Sequence, residues 1–109
     1  MNELSPQQIT ILQRLLASGF TGVAFPLYAN AIGVRKGGCA ALLDPVSNGG
    51  FRLFGEPSVL LDGNLTVRVA EKEKTWFVWK KQRVEATPER IAELEEFVRE
   101  LKSLLEART

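Results

Sequence analysis

The sequence contains no histidine, so it lacks the side chain that most often serves as a general base or binds zinc in proteins. It has a single cysteine, Cys39, and therefore no disulfide can form within the chain. Small secreted domains are usually rich in disulfides, so nothing here points to secretion. We expect no metal site, no cofactor and no Cys-His catalytic pair.

Long apolar runs and an excess of charge of either sign are also missing. No run approaches the roughly 20 apolar residues that a membrane helix needs, and the first residues lack the basic and apolar regions of a signal peptide. These absences predict a cytoplasmic protein with no membrane partner. The 14 lysines and arginines nearly balance the 13 aspartates and glutamates, whereas domains that grip nucleic-acid phosphates are usually more basic.

The chain does have an ordinary globular composition, with 45% hydrophobic and 25% charged residues. Its 109 residues match the usual size of one domain, and a second domain would leave both too small to bury a stable core. We therefore predict a single domain that spans residues 1–109.

Both ends of the chain predict helices. Ser5 and Gln8 form the pattern of a capping box for a helix from Pro6 to Ser18, and Gly19 is a typical residue to end it. We expect this helix to bury one apolar face, formed by Ile9, Leu12, Leu15 and Leu16.

The second helix is predicted from Pro88 to Ala107, with Thr87 as its N-cap. Spacings of three and four residues give it a wide apolar stripe, formed by Ile91, Leu94, Phe97, Val98, Leu101, Leu104 and Leu105. On the outer face, Glu95 and Arg99 have the spacing of a favourable ion pair.

Closely spaced turn signals between the helices predict adjacent antiparallel strands rather than βαβ units. Gly37-Gly38 and Asp62-Gly63-Asn64 are the clearest hairpin turns. The predicted strands are Ala31–Lys36, Cys39–Asp44, Phe51–Phe54, Ser58–Leu61, Leu65–Ala70 and Thr75–Val84. Pro26 makes Phe20–Asn30 a loop or an edge strand. The fold class is α+β: an N-terminal helix, an antiparallel β-meander of five or six strands, and a C-terminal amphipathic helix packed on the sheet.

The last predicted hairpin allows an explicit register. If Ala70 lies opposite Thr75, then Arg68 lies opposite Phe77 and Thr66 opposite Trp79, and opposed residues share a face. We assign the core to the face with Leu65, Val67, Val69, Trp76 and Val78. The other face then presents two aromatic rings beside basic residues, and the candidate binding residues are Arg68, Phe77, Trp79, Lys80, Lys81 and Arg83.

No catalytic motif is visible, so no catalytic residue is assigned. Cys39 is expected to be an inert, partly buried strand residue. The carboxylates Asp44, Glu56, Asp62 and Glu85 are scattered, and turn preferences account for Asp44 and Asp62.

Three functions remain open. The first is a non-catalytic module that binds a protein or a small ligand, with self-association through Phe77 and Trp79 if no helix or loop of the same chain covers them. The second is a nucleic-acid accessory module that uses the aromatic and basic strand Trp76–Arg83. The third is an enzyme of an unfamiliar kind.

Overall fold

The fold was obtained as a computed structural model, which describes residues 4–25, 28, 31–46 and 49–106. In these residues, helices α1 (Pro6–Ala17) and α2 (Pro88–Glu106) flank nine strands. The strands are β1 (Thr21–Val23), β2 (Ile32–Lys36), β3 (Cys39–Pro45), β4 (Phe51–Leu53), β5 (Ser58–Leu61), β6 (Asn64–Leu65), β7 (Val67–Glu71), β8 (Lys74–Trp79) and β9 (Gln82–Glu85). Neighbouring strands pair antiparallel. The predicted α+β class is confirmed, and the meander is divided into a six-stranded and a three-stranded sheet.

Helix α1 begins at its predicted capping box. Ser5 Oγ accepts a hydrogen bond from the Gln8 backbone N–H (3.1 Å), and Gln8 Oε1 accepts one from the Ser5 backbone N–H (2.8 Å). The helix ends one residue before its predicted last residue, and Gly19 follows it with φ +97°. This left-handed conformation suits glycine, so the predicted stop signal is confirmed.

The predicted apolar face of α1 is correct for two of its four residues. Leu15 is buried in the main core and Leu12 packs against that core. Ile9 and Leu16 are 45% and 61% exposed, and the helix buries Gln8 and Ile11 in their place. Hydrogen bonds of the Gln8 side chain help to explain this rotation of the helix. Gln8 Nε2 donates to the carbonyl oxygens of Val46 (3.0 Å) and Gly50 (3.1 Å). Since a buried amide needs hydrogen-bond partners, these two carbonyl oxygens favour the rotation of α1 in which Gln8 faces the sheet.

Strand β3 is the centre of the six-stranded sheet, whose order is β1-β2-β3-β5-β6 with β4 also paired to β3. Five consecutive residues of β3, Cys39 to Leu43, are buried. Cys39, Ala41 and Leu43 belong to the main core, while Ala40 and Leu42 belong to a second core on the opposite face with Phe25 and Leu65. Such a strand is buried on both faces, which explains its continuous apolar run.

The turns and the sheet edge follow the sequence signals. Lys36 pairs with Cys39 across Gly37-Gly38, and Leu61 pairs with Asn64 across Asp62-Gly63. Asp62 and Gly63 have φ of 51° and 78°, as a type I′ hairpin turn requires. Within the predicted loop or edge strand Phe20–Asn30, β1 forms the edge of the sheet, whereas Pro26 and Asn30 lie outside the described residues.

The three-stranded sheet has the order β7-β8-β9 and confirms most of the predicted register. Val67 lies opposite Val78, Arg68 opposite Phe77 and Val69 opposite Trp76. The predicted strand Thr75–Val84 is two strands, because the chain reverses again at Lys80, which has φ 53°. Trp79 lies opposite Gln82 on β9. On the other edge of β8, the pairing with β7 ends at Val67 and Val78, so the predicted pair of Thr66 and Trp79 is not part of it.

Of the predicted core face, Leu65 is buried in the second core, but the part formed by the three-stranded sheet is wrong. Phe77 is fully buried, at 0% exposure, whereas Val67 and Val69 are 62% and 37% exposed. Phe77 lies in the main core, and Val84, its partner across β8 and β9, packs against that core. The aromatic ring thus points inward and the valines point outward, although the pairing of residues is as predicted.

Helix α2 closes the main core. Thr87 Oγ1 accepts from the Arg90 backbone N–H (3.3 Å), as expected of the N-cap. Leu94, Phe97 and Leu101 are buried in the main core, as the apolar stripe predicts. On the exposed side of α2, Arg99 pairs with Glu96 rather than with the predicted Glu95. The predicted last residue, Ala107, lies outside the described residues.

A single lysine connects three elements around this core. Lys36 Nζ, on β2, donates to the Ser18 carbonyl oxygen at the end of α1 (2.8 Å) and to the Glu100 carboxylate of α2 (2.8 and 3.0 Å). Its ammonium also lies 5.3 Å from the ring centroid of Phe20, and that ring packs 5.5 Å from Phe97. The first and last helices are thereby joined to each other and to the sheet.

Candidate functional site

The six predicted binding residues do not form one surface. Phe77 lies in the core, and the guanidinium of Arg68, its cross-strand partner, is 5.8 Å from the Phe77 ring centroid. Trp79 is half-buried on the same side of the sheet, and Lys80 Nζ lies 5.3 Å from its ring. Lys80 and Lys81 form the turn after β8, and Arg83 points to the opposite side.

The exposed side of the three-stranded sheet, which we call the outer face, has an apolar centre. It is formed by Val67, Val69, Trp76 and Val78, which alternate with inward-facing residues along β7 and β8. Trp76 and Val78 are half-buried, while the two valines of β7 are exposed. This contiguous patch is the kind of surface that marks a protein contact.

Charged side chains surround the apolar centre of the outer face. The Arg83 guanidinium lies 4.3 Å from the Trp76 ring centroid, and Lys74 Nζ lies 6.0 Å from it. Arg83 also pairs with Glu71 at 3.7 Å. With Glu85, which lies opposite Trp76, this rim carries two basic and two acidic residues (2 − 2 = 0) and has no net charge.

A concave site lies where the chain passes from the six-stranded to the three-stranded sheet, and we call it the junction pocket. Its volume is about 290 Å³. Leu42 and Leu65 of the second core line it, together with the aromatic rings of Tyr28 and Phe54. The two rings pack edge to face, 6.3 Å apart at an interplanar angle of 63°.

Backbone hydrogen bonds hold both aromatic walls of the junction pocket. The Phe54 N–H donates to the Leu42 carbonyl oxygen on β3 (2.9 Å). The Tyr28 N–H donates to the Phe25 carbonyl oxygen (2.8 Å), and the Tyr28 carbonyl oxygen accepts from the Ala31 N–H (3.0 Å). These bonds tie the backbone of both aromatic residues to the rest of the fold.

Two buried hydroxyl groups, those of Ser58 and Thr66, supply a polar part of the pocket wall. Thr66 Oγ1 lies 2.7 Å from the Val59 carbonyl oxygen, which can only accept, so the Thr66 proton is used there. Ser58 Oγ lies 2.8 Å from Thr66 Oγ1, and it must donate its own proton to that oxygen. Toward the pocket, both hydroxyl groups can therefore only accept hydrogen bonds.

Charged groups of both signs complete the junction pocket. Glu56 lies in the segment between β4 and β5, and Arg68 lies on β7; both line the pocket and both are exposed. The site thus combines an apolar floor, two aromatic walls, two hydrogen-bond acceptors, one acid and one base. A small apolar pocket with a few convergent polar groups is typical of ligand binding.

A second hollow lies between α1 and the edge strand β1. Its volume is about 190 Å³, and its lining is almost wholly apolar. It is lined by Leu12, Leu15, Leu16, Phe20, Thr21, Gly22, Ile32 and Val34. It offers mainly hydrophobic contact and has no charged side chain in its lining.

Cys39 is confirmed as a buried strand residue and is more enclosed than expected, at 0% exposure. Burial raises the pKa of its thiol to about 12, and the nearby Glu93 carboxylate, 3.8 Å from Sγ, adds to the rise through its charge and its hydrogen bond. Such a thiol is protonated at neutral pH, so it is a poor nucleophile.

The four scattered carboxylates lie in four different parts of the fold. Asp44 forms an ion pair with Arg52 across β3 and β4 (2.9 Å), so its position is not explained by a turn as the sequence suggested. Asp62 does lie in a turn. Among the described residues, no three histidine, cysteine or acidic side chains come together as a metal site would need.

Sequence reasoning missed the junction pocket. Its aromatic walls come from Tyr28 and Phe54, and its polar wall comes from Ser58 and Thr66, which are distant in sequence from Tyr28. One local signal was available: Gly55 and Pro57 interrupt the apolar stretch after Phe54, which predicts a turn and an exposed ring beside it. No signal shows that this turn faces Tyr28.

In the part of the chain that the structure describes, neither helix is long and apolar enough to cross a membrane. Comparison with known proteins adds no relative: no protein-family model matches this chain, and no similar protein is found among curated proteins or solved structures.

Proposed function

We propose that the protein is a non-catalytic binding module and that its main site, the junction pocket, takes a small amphipathic ligand. The observation that carries this proposal is the pocket itself, a hollow of about 290 Å³ with an apolar floor and few, convergent polar groups. The absence of histidine and the protonated, buried Cys39 support a binding role over catalysis.

Nuclear magnetic resonance titration of the labelled protein with phenol tests the proposal. Phenol has an apolar ring for Leu42 and Leu65 and a hydroxyl donor for Ser58. We expect saturable shifts of the Leu42 and Leu65 amide signals, because both residues line the pocket. Phe54→Ala should weaken binding, since it removes an aromatic wall.

Leu16→Ala is the matched control for the phenol titration. Leu16 is 61% exposed and Phe54 is 49% exposed, so both substitutions remove a comparably accessible apolar side chain. Leu16 lines the apolar hollow beside α1 instead of the junction pocket. If phenol shifts only the signals around Leu16, or if its shifts do not saturate, the junction pocket is not the binding site.

A second function, self-association, is supported by the outer face of the three-stranded sheet. Its exposed Val67 and Val69 adjoin Trp76, and its rim has no net charge. A two-fold axis would place this face against itself, so a neutral rim avoids the repulsion that a charged one would cause. The earlier candidate interface, Phe77 and Trp79, is less suitable because Phe77 is buried in its own chain.

Sedimentation velocity at micromolar concentration tests self-association. A dimer that Trp76→Ala dissociates and Trp79→Ala leaves intact is the expected result. A monomer at all concentrations, or a dimer that depends on Trp79 alone, would rule out the outer face as the interface.

The nucleic-acid alternative keeps its basic residues but loses Phe77 as a stacking surface, and Arg83 already covers part of Trp76. It stays a prediction, ranked below the first two, and titration with oligothymidylate at two salt concentrations would test it.

We also propose that the protein works in the cytoplasm. The support for this proposal is the unpaired thiol of Cys39, which is compatible with a reducing compartment.

A further inference from the structure

We infer that the ligand of the junction pocket is a free amino acid with an apolar side chain, and this inference rests on the proposed function. The pocket offers three kinds of contact at once: apolar surface, hydrogen-bond acceptors beside an acid, and a base. An amino acid presents the three matching groups, a side chain, an ammonium and a carboxylate.

The acceptors select a ligand that donates hydrogen bonds. The Thr66 proton goes to the Val59 carbonyl oxygen and the Ser58 proton goes to Thr66, so neither hydroxyl can donate to a carboxylate or phosphate. An ammonium group has three donors and no acceptor. It can therefore be placed at Ser58, with Glu56 as the pocket residue of opposite charge.

The aromatic walls favour the same group. Tyr28 and Phe54 both line the pocket and pack edge to face against each other, and cations are attracted to the face of an aromatic ring. A ligand with only an ammonium would meet the like charge of Arg68, which also lines the pocket. A carboxylate on the same molecule removes that repulsion and gives the guanidinium a partner.

The volume of the junction pocket limits the size of the ligand. A hollow of about 290 Å³ has room for about ten water molecules at roughly 30 Å³ each. This is at the lower limit of ligand pockets, and it leaves room for a molecule as small as leucine. Leu42 and Leu65 would receive the side chain.

Leucine and two analogues that each lack one charge provide the test. Isoamylamine lacks the carboxylate, and isocaproate lacks the ammonium. We expect leucine to bind about tenfold more tightly than either compound, because each analogue leaves one charge-assisted contact unmade. The affinities are measured from the shifts of the Leu42, Ser58 and Leu65 amide signals.

Two exposed residues give the variants. Arg68→Gln should lower the affinity for leucine to about that for isoamylamine, and it should leave the affinity for isoamylamine unchanged or raise it. Glu56→Gln should lower the affinities for leucine and isoamylamine, and it should leave the affinity for isocaproate unchanged or raise it. Lys80→Gln, which removes a cation outside the pocket, should change none of the three affinities.

The outcomes separate this inference from the proposed function. If an analogue with one charge binds as tightly as leucine, the zwitterion is the wrong ligand class, and the pocket remains a binding site. If none of the three compounds shifts the pocket signals, the inference is overturned, and the phenol titration decides the proposed function independently.

Discussion

Replacing Phe77 by alanine tests which face of the three-stranded sheet holds the fold together. The ring is fully buried in the main core, and Phe→Ala at such sites costs about 3–5 kcal/mol in the free energy of unfolding. Arg68 also loses the ring 5.8 Å from its guanidinium, a contact worth about 0.5–1 kcal/mol. We therefore expect a loss of about 4 kcal/mol or more.

Thermal unfolding followed by circular dichroism measures this loss. For a domain of this size, each kcal/mol lowers the melting temperature by about 4–8 °C, so Phe77→Ala should lower it by about 16 °C or more. Val67→Ala, on the outer face and 62% exposed, should cost about 0.5 kcal/mol or less. Equal losses from the two variants, or a larger one from Val67→Ala, would show that the assignment of the buried face is wrong.

Three further predictions concern buried groups. The pKa of the Cys39 thiol is 9.0 when unperturbed and about 12 in the fold, so the unfolded state loses this proton at a lower pH than the folded state. The contribution of Cys39 to the free energy of unfolding is therefore intact below pH 9 and falls between pH 9 and 12, by up to about 1.4 kcal/mol per pH unit. Denaturant titrations at a series of pH values measure this decline, and Cys39→Ala should remove it. Gln8→Ala removes the two hydrogen bonds of a buried amide and one half of the capping box and should cost about 1–3 kcal/mol by chemical denaturation, whereas the exposed Gln13→Ala should change little. Gly33→Ala would place a Cβ 2.3 Å from the Val23 carbonyl oxygen and should lower the melting temperature, whereas the Cβ of Gly22→Ala meets nothing within 4 Å; equal effects from these two would contradict the packing of β1 on β2.

Much of the fold was predictable because its signals are local. The Ser5 capping box, the Thr87 cap and the Asp62-Gly63 turn each depend on a few adjacent residues, and all three formed as predicted. The hairpin register between β7 and β8 also follows from one turn position. That the chain forms one domain stays a prediction, supported by a main core that includes residues of both helices and of both sheets.

The buried face of the three-stranded sheet was not predictable from alternation. The period of two assigns residues to faces but does not say which face is inside. Counting apolar residues favoured the side of Val67 and Val69, yet the large ring of Phe77 fills the main core. Which face packs inward depends on the helix and strands that meet it, and these come from distant parts of the sequence.

The candidate site was predicted only in part, for the same reason. Arg68 was selected from the sequence and does line the junction pocket, although the ring chosen beside it, Phe77, is buried below. The pocket also needs Tyr28 and Phe54 to meet. The two residues are far apart in the sequence, and no local pattern encodes their contact.

The contacts of Lys36 have a consequence for the order in which the protein is completed during synthesis. Ser18 and Phe20 follow α1 and leave the ribosome before α2, the last described helix. Ser18 is joined to α2 through Lys36, which also binds Glu100, and the ring of Phe20 packs on Phe97 of α2. Until Phe97 and Glu100 appear, the main core is open on the side that α2 will cover. The ring of Phe20 therefore lacks its contact with Phe97 until α2 has been synthesised, and open apolar surface of this kind makes a nascent chain prone to association with other chains.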